Sequence, residues 1–310
     1  MSACQALLSC MPCLTHPLIA FSTTTCLDSR LSPQLLRDKY EELLAQVLKK
    51  NKKTPELMPP GMWDLIKGAD LGDLSKIMEA TDWLTGQAID TAVAAQMHWM
   101  LHVDGDVGAA GCWNVQFSEY AAQMIYIPTY VNTLVSVEYK FQTFLLQRRT
   151  TAGYVEALRH ASIFIGALNL SNTHWVAWKV DRLSKEVFIY DSASGAEACH
   201  IAPMLRFICT ITHDDRYPDN GAISELVASY KIQVIHGGVE FPRHFPCQPD
   251  GNSCGVFAIV ILWHFICNAT VHLAAHDVPT KWRQFIPIKI IRLFKSLAVS
   301  NTADSDTISM

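Results

Sequence analysis

The stretch HWVAWKVDRLSKEVFIYDSASG, residues 174–195, decides the fold. HWVAWKV (174–180) and EVFIYDS (186–192) are short, aromatic and β-branched, with a polar turn between them. That pattern predicts two consecutive strands joined as a hairpin. Reading outward, ASIFIGALNL (161–170) precedes the pair across a polar SNT turn, and YKIQVIHG (230–237) adds a fourth candidate strand. Residues 197–209 and 220–230 read as helical. After the Pro-rich loop FPRHFPCQPDGNS (241–253), a long apolar helix begins at about Cys254.

The N-terminal half has a helical period instead. SPQLLRDKYEELLAQVLKK starts with Ser32 as an N-cap and Pro33 in the first turn, and Leu35, Leu36, Leu43, Leu44 and Val47 fall near helical spacing. Pro55, Pro59, Pro60 and Gly61 then break the chain. A second helix is expected over about 85–102, with Thr85 as cap and Ile89, Val93, Met97 and Met100 on one face. Helices, then strands, then helices indicate an α+β domain, and no internal repeat is visible.

Composition narrows the function classes. Half of the 310 residues are apolar and 17% are charged, which suits a folded core. A formal net charge of -4 argues against a general nucleic-acid binder. The basic run Lys49, Lys50, Lys52, Lys53 reads as a solvated helix end in preference to a nuclear-localisation patch. Ten scattered cysteines in a chain of this length predict free thiols in a reducing compartment. Cys10 and Cys13 have CxxC-type spacing, but no second Cys/His pair follows, so no metal is expected. CGVFAIVILWHFIC (254–267) is too short to span a bilayer and contains His264, so a buried helix is expected there and no membrane association. The apolar N-terminus lacks the basic residues of a secretory signal.

Chemistry enters with Cys254. A thiol is a poor nucleophile until deprotonated, and a helix N-terminus or a neighbouring imidazole favours the thiolate. Cys254 follows the turn-forming PDGNS and opens the apolar helix, and Gly255 after it permits close backbone approach by another chain. Taken alone, Cys254 reads first as a small apolar residue at a helix start, His174 as a surface histidine and Asp191 as a turn residue before SASG. The hairpin is what joins the last two: if 174–180 pairs with 186–191, imidazole and carboxylate meet at one end.

Those residues, with QPDGNSCGVFAIVILWHF (248–265), resemble the Ulp-like SUMO-protease family of cysteine peptidases. The matching marks are His174-Trp175, Asp191-Ser192 after an aromatic strand, Gln248 ahead of Cys254-Gly255, the strand IFIGALNL, and Asp82-Trp83-Leu84 before a helix. The likeness covers about residues 80–270. It implies a papain-like (adenain/Ulp-type) fold with a small central mixed β-sheet flanked by helices. Together with the aperiodic, Ser/Thr/Cys-rich start, the helical period after it and the polar ending, it divides the chain into a loosely ordered leader (1–30), a helical extension (31–80) that matches nothing in the family, a catalytic domain (81–296) and a frayed tail (297–310).

By the same resemblance, Cys254 is the nucleophile, His174 its base, and Asp191 the group orienting that base. Gln248 is an oxyanion donor, and Trp83 and Trp175 form a narrow channel over a Gly-Gly tail. Members commonly carry Asp directly before the nucleophile; this chain has Ser253. The implied activity is a thiol isopeptidase or processing peptidase acting on a ubiquitin-like protein of the SUMO or NEDD8 class and its conjugates. It would work as a monomer in the nucleus or cytoplasm, without cofactor. Two rivals keep the same residues: an acetyltransferase using coenzyme A, and a module that binds a ubiquitin-like protein without cleaving it.

Overall fold

In the computed structural model, the described residues are 38, 41–43, 45, 66, 69–79, 81–102, 123–131, 152–213, 220–238, 247–267 and 281–303. The expected leader, most of the helix from Ser32, the basic run at 49–53, the proline break and the chain after 303 lie outside them. In chain order the elements are α1 (Leu71–Met78), α2 (Gly86–His102), β1 (Met124–Ile127), α3 (Ala152–His160), β2 (Ile163–Leu170), β3 (His174–Asp181) and β4 (Glu186–Asp191). A short 3-10 turn (Ala198–Ile201) leads into α4 (Ala202–Ile211), followed by α5 (Asn220–Ala228), β5 (Lys231–His236), α6 (Cys254–Ile266) and α7 (Arg283–Ala303).

The five strands stand in the order β1-β2-β3-β4-β5. The outer pairs are parallel and the β2-β3-β4 meander is antiparallel, so the sheet is mixed as expected. Ser171 and Asn172 adopt left-handed backbone angles in the turn between β2 and β3, the geometry that matches the strands' twist. Alternating residues then serve two cores. Ile163, Ile165, Ala167, Trp175 and Ala177 face α2, α6 and α7, whereas Phe164, Leu168, Val176, Trp178 and Val180 face α3–α5. Trp178 lies across its strand partner Gly166, where an added Cβ would sit 2.5 Å from the indole.

Every residue of α6 is buried, so this helix is wrapped on all sides. Its two polar side chains are satisfied locally: Trp263 Nε1 donates to the Ala92 carbonyl at 3.1 Å, and His264 Nδ1 bonds the Val260 carbonyl at 2.6 Å. Gly255 is glycine for a reason internal to the chain. A Cβ there would stand 2.9 Å from Leu84 Cβ, so the close approach expected for another chain is made by Leu84. Thr85 caps α2, accepting from the Ala88 N–H at 3.1 Å. Ile89 and Val93 are buried on its inner face and Met97 is half-buried.

The pattern did not predict β1, α1, α3 or α7. Ile66, Leu74 and Ile77 share one core with α6 and α7, so a boundary at 81 would cut through packed side chains. Helix α7 runs past 296, where the tail was expected to begin, to Ala303. Among the described residues no helix is long and apolar enough to cross a membrane.

Because core glycines at van der Waals limits tolerate no added methyl without movement, Gly255→Ala is expected to cost about 1–3 kcal/mol in urea denaturation. Adding Leu84→Ala should recover part of that loss. Strict additivity of the two changes would show that the Leu84 approach carries no strain.

Candidate active site

The hairpin does what its spacing promised. His174 opens β3, Asp191 closes β4, and His174 Nε2 meets Asp191 Oδ1 at 2.5 Å. Asp191 is 0% exposed, so its charge has to be answered inside the protein. Its Oδ1 also accepts from the Ala193 N–H at 2.8 Å, and its Oδ2 from the Ala196 N–H at 2.6 Å. The stretch SASGA (192–196) that supplies these donors bends through Ser194, whose φ is 68°. His236, the register partner of Asp191 on β5, brings its Nδ1 to 3.6 Å from Oδ2.

Cys254 is 2% exposed at the first position of α6, and its interaction with the His174 ring helps to raise the pKa of that histidine. Since Nε2 is taken by Asp191, Nδ1 is the nitrogen left for the thiol. Burial works against a charged His174, but the interactions with Asp191 and Cys254 outweigh it and push its pKa up to about 9. Burial would raise Asp191 as well. The His174 bond and the two backbone N–H groups reverse that and hold the carboxyl well below the usual range.

The turn before Cys254 is preformed. Asp250 Oδ1 accepts from the N–H groups of Asn252 (3.0 Å) and Ser253 (2.7 Å), and Oδ2 accepts from the Ser253 hydroxyl at 2.7 Å. Ser253 is therefore no idle replacement, because its buried hydroxyl closes that turn. Gln248 is tied to the end of β4. Its N–H donates to the Ser192 carbonyl at 2.9 Å, and its Oε1 accepts from the Ser192 hydroxyl at 2.7 Å. Gln248 Nε2 donates to the Asp250 carbonyl at 2.6 Å, which leaves one of its two protons free.

The two expected channel tryptophans differ. Trp83 is 44% exposed just before α2, whereas Trp175 is 6% exposed and donates its Nε1–H to the Leu84 carbonyl at 2.8 Å. Trp175 thus supports the loop that presents Trp83. Sequence reading missed His236, the Asp250 turn and the buried Arg283, whose roles depend on contacts across distant segments; only PDGNS gave a signal, as a turn.

Residues 145–289 match the model of the Ulp1 protease family, C-terminal catalytic domain. One similar solved structure is the SUMO protease Ulp1 with its catalytic cysteine oxidised to a sulfonic acid. It has a TM-score of 0.51 at 13% identity, over 86% of this chain and 97% of that one. Another is the Chaetomium thermophilum Ulp1-like SUMO protease catalytic domain, with a TM-score of 0.50 at 15% identity, over 85% and 91% of the two chains. At these identities the likeness is one of fold, and the fold is the Ulp-type α+β arrangement the resemblance implied. None of the curated proteins compared with the chain matches it.

The His174 cation has a folded pKa above its ordinary 6.5, so its stabilising contribution is complete below about 6.5 and is lost as pH rises through about 9. Titration of the His174 ring protons by NMR is expected to give a midpoint near 9, falling in Asp191→Asn. A wild-type midpoint at the ordinary value would contradict the pairing.

Proposed function

We propose that this chain, whose residues 145–289 match the Ulp1 protease family, is a cysteine peptidase of that family and cleaves after the Gly-Gly C-terminus of a ubiquitin-like modifier, SUMO first among the candidates. The observation that carries the reading is one imidazole, His174, bonded to buried Asp191 and coupled to Cys254 at the start of α6.

The chemistry follows from that geometry. His174 Nδ1 takes the proton of the Cys254 thiol, and the α6 N-terminus favours the thiolate that results. The thiolate attacks the carbonyl carbon of the terminal glycine, and the carbonyl electrons move to oxygen. The Cys254 backbone N–H and the second Gln248 Nε2–H are the donors assigned to that oxyanion, a contribution of about 3 kcal/mol for one donor. Collapse expels the amine of a lysine or of the following residue, which takes the proton from His174 and leaves a thioester. Water, deprotonated by His174, then attacks the thioester, and the carboxylate leaves as Cys254 regains its proton. Asp191 keeps the ring oriented and stabilises its cation throughout.

Selectivity for glycine is supported by the exposed Trp83 indole, a flat apolar surface presented by the loop that Trp175 anchors. A reducing compartment, nucleus or cytoplasm, is supported by the cysteine usage of the chain, ten residues with no framework spacing.

The test is labelling with C-terminally reactive SUMO, NEDD8 and ubiquitin probes, read as a gel shift. An adduct with one probe, lost in Cys254→Ala and strongly slowed in His174→Ala, is expected. Asp191→Asn should reduce kcat by about 10⁴ if it behaves like other buried orienting carboxylates. No adduct from folded wild-type protein with any probe would sink the reading.

A further inference from the structure

Arg283, the first residue of α7, is 2% exposed and has no part in the chemistry above. Its Nη1 donates to the carbonyls of Lys76 (3.0 Å) and Ile77 (3.3 Å), and its Nη2 to those of Asp82 (3.1 Å) and Asn252 (3.3 Å). These four acceptors belong to three separate segments: the last turn of α1, the loop that presents Trp83, and the turn that ends at Cys254. Among the described residues no helix or strand joins the Trp83 loop to the Asn252 turn, which lies 170 residues further along (252 − 82).

A buried guanidinium is expensive unless its donors are used, and here both terminal nitrogens are used while Nε has no partner; space-filling alone would select an apolar side chain. Burial pushes the Arg283 pKa down, while the nearby Asp250, Asp82 and Cys254 pull it back up, so the cation is held in place by charge as well as by carbonyls. Only the planar fork of arginine reaches acceptors on both sides at once; a lysine ammonium is a single point of attachment.

We propose that Arg283 is a positioning residue that clamps the Trp83 loop to the nucleophile turn and so sets the width of the slot between the exposed indole and Cys254. Its effect on selectivity rests on the Gly-Gly peptidase reading above; the clamp itself rests on the four hydrogen bonds. A one-ångström misplacement of a reacting group costs about 100-fold in rate, so slackening this clamp acts on turnover before binding.

The experiment uses the full chain as wild type, Arg283→Lys and Arg283→Gln. Hydrogen exchange is measured over 82–85 and 249–254 beside the β2–β4 sheet, together with kcat and KM for modifier substrates ending in Gly-Gly and in Ala-Gly. Faster exchange confined to those two loops is expected. A fall in kcat of about 100-fold with KM changed far less is expected as well, together with weaker discrimination against alanine. Uniform loss of protection, with both substrates slowed equally, would reduce Arg283 to an ordinary core residue and overturn the proposal. Arg283→Lys keeps the charge and carries the test if Arg283→Gln does not fold. If wild type cleaves neither substrate, the peptidase reading fails, and the loop-confined exchange still decides the clamp.

Discussion

A carboxylate shut away from water dictates how this site is assembled. The charge of Asp191 is tolerable only because the His174 ring and the N–H groups of Ala193 and Ala196 converge on it. That condition fixes the end of the β3–β4 hairpin and the turn after it. The neighbouring Ser192 then anchors Gln248 through both its carbonyl and its hydroxyl, which brings in the loop that leads to the nucleophile. Gly237 donates to the Asp191 carbonyl at 2.7 Å, which locks β5 onto the same point. One polar knot thus fixes three segments that are remote in sequence.

Much of this was legible in the residues. Strands with aromatic and β-branched alternation, the turn between them and the apolar run from Cys254 are local signals, and the structure places them within a residue or two of their expected bounds. The elements that escaped have physical excuses. β1 is only MIYI, four residues buried on both faces, a length at which an apolar run does not reveal its period. α7 contains Pro287, which reads as a break, yet the helix continues through it because its apolar side is held by α1 and α2. Among site residues, His174, Asp191 and Cys254 were visible because a hairpin and a helix start are local features. Arg283 was not, since the tripeptide Trp282-Arg283-Gln284 says nothing about carbonyls contributed from positions 76 to 252.

The departure at Ser253 shows how such a site absorbs a change of charge. Members of the family commonly place a carboxylate directly before the nucleophile. Here the nearest carboxylate on that side of the turn belongs to Asp250, three residues earlier, where it accepts two backbone N–H groups and the Ser253 hydroxyl. The negative charge remains beside the nucleophile turn and within electrostatic reach of Arg283. What differs is that the turn is now closed by a side chain inside it.

Helix α6 has no solvent-facing residue, and Cys254, the proposed nucleophile, is its first member. Many enzymes are switched by melting or ordering the segment that carries a reactive group, as a zymogen is before activation. That route is closed to Cys254, because loosening its helix would open both the sheet and the helical layer at once. Control has to act from outside, at the surface loops that admit the substrate or on the sulfur atom itself. The same confinement makes the interior sequence of α6 a poor place for drift, since every substitution there is felt by folding and by chemistry together.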